Sequence, residues 1–171
     1  MSTGTKNLPT IGSNELVEIC GLKAVPAKID TGADSSAIWA SDIEVTKDGL
    51  LKFKLFGPSS PFYSGKTISR ADYKAVSVKS SNGAEQIRFR THLTLKIAGK
   101  TIRASFNLSD RSRNHFPILI GRRTISQKFL VDVSKISTSR KDATKTRSLN
   151  QELKKNPYEF YQKYVKLAKK G

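Results

Sequence analysis

The stretch AKIDTGADSSAIWA, Ala27 to Ala40, ends an apolar run in a carboxylate, Asp30, and follows it with Thr31, Gly32 and Ala33. A carboxylate so placed can do acid–base work: ionised, it takes a proton from water; protonated, it gives one to a carbonyl oxygen. One way for carboxylates alone to drive hydrolysis is as a pair close enough to share one proton, because both cannot ionise at that separation. Their titrations are coupled and belong to the pair. Asp42, Asp48, Asp72, Asp110 and Asp132 are followed by Ile, Gly, Tyr, Arg and Val, so none opens a second Asp-Thr/Ser-Gly. A two-fold homodimer would bring Asp30 together with its symmetry mate. The competing reading is a capped turn, since Asp and Gly are common turn residues.

The elements that must position Asp30 read as strands. ELVEI (Glu15 to Ile19) alternates polar and apolar, VPAKI leads into Asp30, and SAIWA, LLKFKLF and YKAVSV follow. EQIRFRTHLTLKI sets Ile87, Phe89, Thr91, Leu93, Leu95 and Ile97 on one face, and Ala98 to Lys100 turns it back into TIRASFNL. Asn82-Gly83 is a strong hairpin signal. Much later, FPILIGRR places Leu119 and Ile120 before Gly121 and Arg122, and GRRTISQKF reads as the body's one short helix, ahead of the strand FLVDV.

The order of these motifs resembles the retropepsins, single-domain aspartic peptidases typified by retroviral proteases. AKIDTGADSSAIWASDIEV, SSNGAEQIRF, LSDRS and FPILIGRRTISQKFLVDV look like a bacterial and phage branch, long labelled ATP-dependent zinc proteases and now regarded as retropepsin-like aspartic endopeptidases. The likeness covers Ile11 to Val133. It implies a mainly β, retropepsin-like barrel with one short α-helix, acting as a homodimeric aspartic-type endopeptidase with Asp30 as the catalytic residue. By the same resemblance Thr31, Gly32, Ala33, Asp34, Gly121 and Arg122 support the site. Thr31 would bond across the dimer axis, Gly32 would let backbone approach the carboxylates, and Asp34 would pair with Arg122. Ser80, Ser81, Asn82 and Gly83 would form a flap over substrate. Two positions depart from the bacterial pattern: Asp34 stands where a basic residue is usual, and Trp39 where His is.

Zinc needs three or four converging ligands; Cys20, His92 and His115 form no such spacing. Gly-Lys-Thr occurs at 65–67 and 99–101, but Ser60 and Thr94 stand where a phosphate loop wants glycine, and both tripeptides precede strands. No metal or cofactor is expected.

A net charge of +17 is the outlying feature of the 171-residue composition, and it favours acidic partners. An acidic polypeptide substrate is one reading. Nucleic acid is another, without an RNP motif, zinc finger or basic zipper to support it; Arg88 and Arg90 beside Phe89 fit a sheet's solvated face. A catalytically silent interaction module with the same fold is a third. No run is long and apolar enough for a membrane span, MSTGTKNLPTIGSN has no apolar signal region, and a lone cysteine fits a reducing cytoplasm. The expected organisation is a flexible N-terminus (1–13), a retropepsin-like domain (14–135), and a basic linker with a C-terminal amphipathic helix (136–171). In that tail, Asn156-Pro157 caps a helix striped by Phe160, Tyr161, Tyr164, Val165 and Ala168.

Overall fold

A computed structural model describes residues 7–79, 83–137 and 142–166. The chain divides into two compact units, Met1–Thr138 and Ser139–Gly171. The first is built from β1 (Thr10–Ile11), β2 (Asn14–Ile19), β3 (Leu22–Asp30), β4 (Ser36–Val45), β5 (Leu51–Leu55), β6 (Thr67–Arg70), β7 (Tyr73–Lys79), β8 (Glu85–Ile97), β9 (Lys100–Ser109), β10 (Ile118–Gly121), α1 (Arg122–Ile125) and β11 (Leu130–Val131). It is mainly β. The neighbours run β10-β3-β2-β8-β9-β4, and β4 pairs again with β10, so these six strands close into a barrel. Closure removes the free edges that an open sheet would expose. Strands β5 and β6 extend the sheet beyond β4, and β7 pairs with β8.

Two tight turns set the register of the barrel. Ile97 pairs with Lys100, and the intervening Ala98 and Gly99 have φ of 45° and 75°. Cys20 and Gly21, at 47° and 85°, join Ile19 to Leu22 in the same way. Positive φ at both central residues matches the right-handed twist of the flanking strands. Neither Ala nor Cys is a usual left-handed residue, so in both turns the glycine carries the local signal.

Alternation decides what faces inward. Val25, Ala27 and Ile29 of β3 are buried, as are Leu93, Leu95 and Ile97 of β8. They pack with Ile38, Phe53, Phe106 and Ile118 in one core. The apolar face expected along all of β8 is buried only over its second half. Ile87 is 68% exposed, because the first half leaves the barrel to pair with β7. Trp39 is in the core, against Gly57.

Order begins before the expected boundary at residue 14. Thr10–Ile11 pairs in parallel with Leu130–Val131, and Ile11 is buried. A residue that fills the core cannot belong to a free terminus.

The second unit holds α2 (Asp142–Lys155), α3 (Pro157–Tyr161) and a π-helical turn at Gln162–Lys166. The segment read as a linker is thus helical from Asp142. Its polar composition hides the signal, but it has no Gly or Pro to stop a helix. Asn156 caps α3: its side chain accepts the Glu159 N–H at 3.2 Å, with Pro157 in the first turn. The second unit folds back on itself as Lys163 Nζ and Tyr164 Oη donate to the two oxygens of Glu152, at 2.7 and 2.9 Å. Tyr161, Tyr164 and Val165 are exposed, whereas Ala168 lies outside the described residues. Among the described residues, no helix is long and apolar enough to cross a membrane.

Candidate active site

Asp30 is the last residue of β3, one step beyond the buried Ile29 and therefore off the core face. Its strand runs parallel to β10 with Ile120 opposite Ile29 and Gly121 opposite Asp30. Both strands end together, so the loop after Asp30 and the start of α1 lie side by side. Arg122 N–H donates to the Ala33 carbonyl at 2.8 Å and Arg123 N–H to that of Asp34 at 3.2 Å. The two motifs that stand some ninety residues apart in sequence are stitched together by main chain.

Gly121 permits that approach. A Cβ there would lie 2.5 Å from Ser35 C, 2.6 Å from Ser35 O and 2.9 Å from Ala33 O. Behind it, Gly121 N–H donates to Ser36 Oγ at 3.0 Å, and Ser36 Oγ shares a 2.8 Å hydrogen bond with Thr124 Oγ1. All three residues are buried, so this bond satisfies groups that water cannot reach.

The carboxylate itself is held on one side. Asp30 Oδ1 accepts the N–H groups of Gly32 at 3.1 Å and Ala33 at 3.2 Å. Among the described residues no hydrogen bond reaches Oδ2. The turn is a capped one, as the modest reading has it, but the cap uses one oxygen and leaves the other. A Cβ at Gly32 would lie 3.4 Å from Asp30 Oδ1, ordinary contact, so nothing inside one chain demands glycine there. Thr31 is exposed, and its hydroxyl has no partner among the described residues.

Asp34 and Arg122 form an ion pair, Arg122 Nη2 to Asp34 Oδ1, with both side chains more than half exposed. Pairs so wetted contribute little. Arg122→Ala is expected to change unfolding free energy by less than about 1 kcal/mol; a loss of several kcal/mol in urea unfolding would show that the pair anchors the loop.

Asp30 faces a cleft of about 950 Å³. One wall is the β7–β8 hairpin, through Val76, Val78 and Arg88; another is the segment Ser109 to Arg111 with Asn114. The hairpin is present, but Ser80, Ser81 and Asn82 lie outside the described residues. Gly83 is exposed with φ +81°.

Sequence reading missed the cations of this cleft. Arg90 does not lie on a freely solvated face: its Nε donates to Asn107 Oδ1 at 2.6 Å and its Nη2 to Ser35 Oγ at 2.9 Å. Burial, with Arg123 nearby, lowers its pKa from the usual arginine value. Burial likewise lowers that of Arg111, helped by Arg88 and opposed by the charge of Asp30. Among the described residues Ser109 Oγ, at the same cleft, is buried without a hydrogen-bond partner. LSDRS carries the family resemblance and holds Ser109 and Arg111, but neither was expected in the site, and Arg90 was read on a solvated face. No group of three His, Cys, Asp or Glu side chains able to hold a metal is found among the described residues.

The model of one family, the RimB-like retropepsin-like aspartic endopeptidases, matches residues 10–142. The chain belongs to this RimB-like family. The match spans the barrel, both motifs and the cleft walls. Curated relatives include proteins named "Probable alpha-L-glutamate ligase" from Shewanella pealeana, 31% identical over 72% of this chain, and Shewanella halifaxensis, 30% identical over 72%. In each the stretch makes up 28% of the relative, so this chain spans little more than a quarter of their length. Among solved structures, a Legionella pneumophila protein of unknown function superposes with a TM-score of 0.56 at 25% identity, covering 77% of this chain and 98% of that one. The RimB-like barrel is therefore an independently observed architecture, and the family membership brings an aspartic-peptidase type of fold.

Proposed function

We propose that this RimB-like chain is an aspartic endopeptidase that works as a homodimer, with Asp30 of each subunit supplying half of the dyad. One observation carries the reading: the Asp30 carboxylate, held through Oδ1 and, among the described residues, unpartnered at Oδ2, faces a cleft walled by a hairpin. In the dimer, one Asp30 takes a proton from water as it attacks the scissile carbonyl, and the other donates toward the carbonyl oxygen. Thr31, exposed and without a hydroxyl partner among the described residues, bonds across the axis in this reading. The segment that joins β7 to β8 in sequence, Ser80, Ser81, Asn82 and Gly83, serves as the flap that closes over substrate and excludes water. Asp34, Arg122 and Gly121 hold the paired loops.

The cleft favours an acidic polypeptide. Lys79, Arg88, Arg90, Arg111 and Arg123 line it against Asp30, Asp34 and Asp110. Acidic peptide libraries are expected to be cleaved in preference to basic ones. The relatives' ligase name is not carried over, because the shared stretch is a minor part of those proteins.

Subunit mixing tests the dimer. Wild-type chain equilibrated with an equal amount of Asp30→Asn chain leaves about a quarter of randomly formed dimers with two aspartates. Activity per total chain should fall to about a quarter of the all-wild-type value at equal total concentration. A fall to one half means that each chain acts alone, and ends the dimer reading.

A further inference from the structure

A second cavity, of about 350 Å³, adjoins the cleft and shares Ser35, Arg90 and Arg123 with it. Its remaining lining includes Lys74, His92, Arg103 and Lys128, and no Asp or Glu. Arg103 is neutralised by Asp72, Nη2 to Oδ2 at 2.8 Å. Lys74, Arg90, Arg123 and Lys128 form no ion pair among the described residues. Four cations thus line a small hollow, none of them in an ion pair among the described residues.

Arg90 carries the inference beyond a count of charges. It is partly buried, and its guanidinium is fixed by two neutral partners, Asn107 and Ser35. A cation withdrawn from water normally has an anion beside it, because desolvation is costly without one. Here the neighbour is another cation, Arg123. An anion between them would offset both the desolvation and the repulsion.

We propose that this pocket binds a compact, multiply charged oxyanion of the phosphate class through Arg90 and Arg123, with Lys74 and Lys128 closing round it. Arginine's planar fork suits phosphate oxygens, and lysine adds mobile point charges. The pocket has little more than a third of the cleft's volume, which suits a compact anion better than an extended chain. The site does not depend on the peptidase reading, since Asp30 does not line it.

Calorimetric titration of the full chain with inorganic phosphate, pyrophosphate and adenosine monophosphate tests it, with sodium chloride at matched ionic strength as the control. Pyrophosphate is expected to bind with saturation, and Lys74→Ala/Lys128→Ala to weaken it at least about tenfold. Both lysines line this cavity and not the cleft, whereas Asp30 lines the cleft and not this cavity, so Asp30→Asn should bind as wild type does. Tighter binding of adenosine monophosphate than of phosphate would mark a phosphorylated metabolite as the source; the reverse would mark free phosphate. A response that chloride reproduces, or that the double variant leaves unchanged, overturns the proposal. So does saturable binding of an acidic peptide with none of any phosphate, which would make the hollow an extension of the cleft.

Discussion

Asp30→Asn is expected to reduce kcat/KM for peptide cleavage by about a thousandfold, within the range for loss of a general acid–base group, or about 4 kcal/mol of transition-state stabilisation. The fold should survive. Asn keeps a side-chain oxygen in the place of Oδ1, where it still accepts from Gly32 and Ala33 N–H. What it lacks is a group that can ionise and exchange a proton with water. The loss is expected in kcat at similar KM, because substrate contacts along the cleft are untouched. Two measurements keep the result interpretable: thermal unfolding, which should move by no more than a few degrees, and sedimentation, which should show an unchanged assembly. Proteolysis that persists undiminished in a folded Asp30→Asn chain removes Asp30 from the mechanism. A chain inactive from the start, yet dimeric, would instead be the silent module that the same sequence motifs allow.

The pieces of this site differ in how much of themselves they write into sequence. Asp30 and Gly121 are legible because each sits in a short motif whose chemistry is local: a carboxylate closing an apolar strand, and a glycine after two bulky residues. That the two meet is less legible, since it depends on the parallel pairing of β3 with β10 across about ninety residues. Arg90 is the opposite case. Alternation assigns it to the polar side of β8, together with Thr94 and Lys96, which are exposed. The period reports a side of the sheet, not what covers it, and Ser35 of the Asp30 loop covers only the Arg90 end. Ile87 errs in the reverse sense: it holds an apolar position in the pattern, but the strand has left the barrel by then. The barrel strands were readable for a plain reason, that Val25, Ala27, Ile29 and Leu93, Leu95, Ile97 keep strict period two beside a common core. Helix α2 was not, because a polar helix with no buried stripe has little periodicity to read.

Gly121→Ala is expected to be the most disruptive single-methyl change near the site. The added carbon would meet Ser35 C at 2.5 Å and Ala33 O at 2.9 Å. These are main-chain atoms with no rotamer to change, so either the loop after Asp30 or strand β10 must move. Movement strains the Arg122 N–H to Ala33 O bond at 2.8 Å and the Gly121 N–H to Ser36 Oγ bond at 3.0 Å. Overpacking of this kind costs about 3 kcal/mol, which for a domain of this size lowers Tm by about 10 °C. Activity should fall further than stability does, by about a hundredfold at a temperature where the variant is folded, since displacement of a reacting group by about 1 Å has that effect. Gly99→Ala is the control. Its φ is +75°, so it carries a backbone cost of about 1 kcal/mol, yet nothing lies within 4 Å of the added carbon. It should lose stability modestly and keep its activity. If Gly121→Ala matches Gly99→Ala in both measurements, the β10 end and the Asp30 loop do not press together, and the close approach that ties FPILIGRR to the carboxylate is not what positions it.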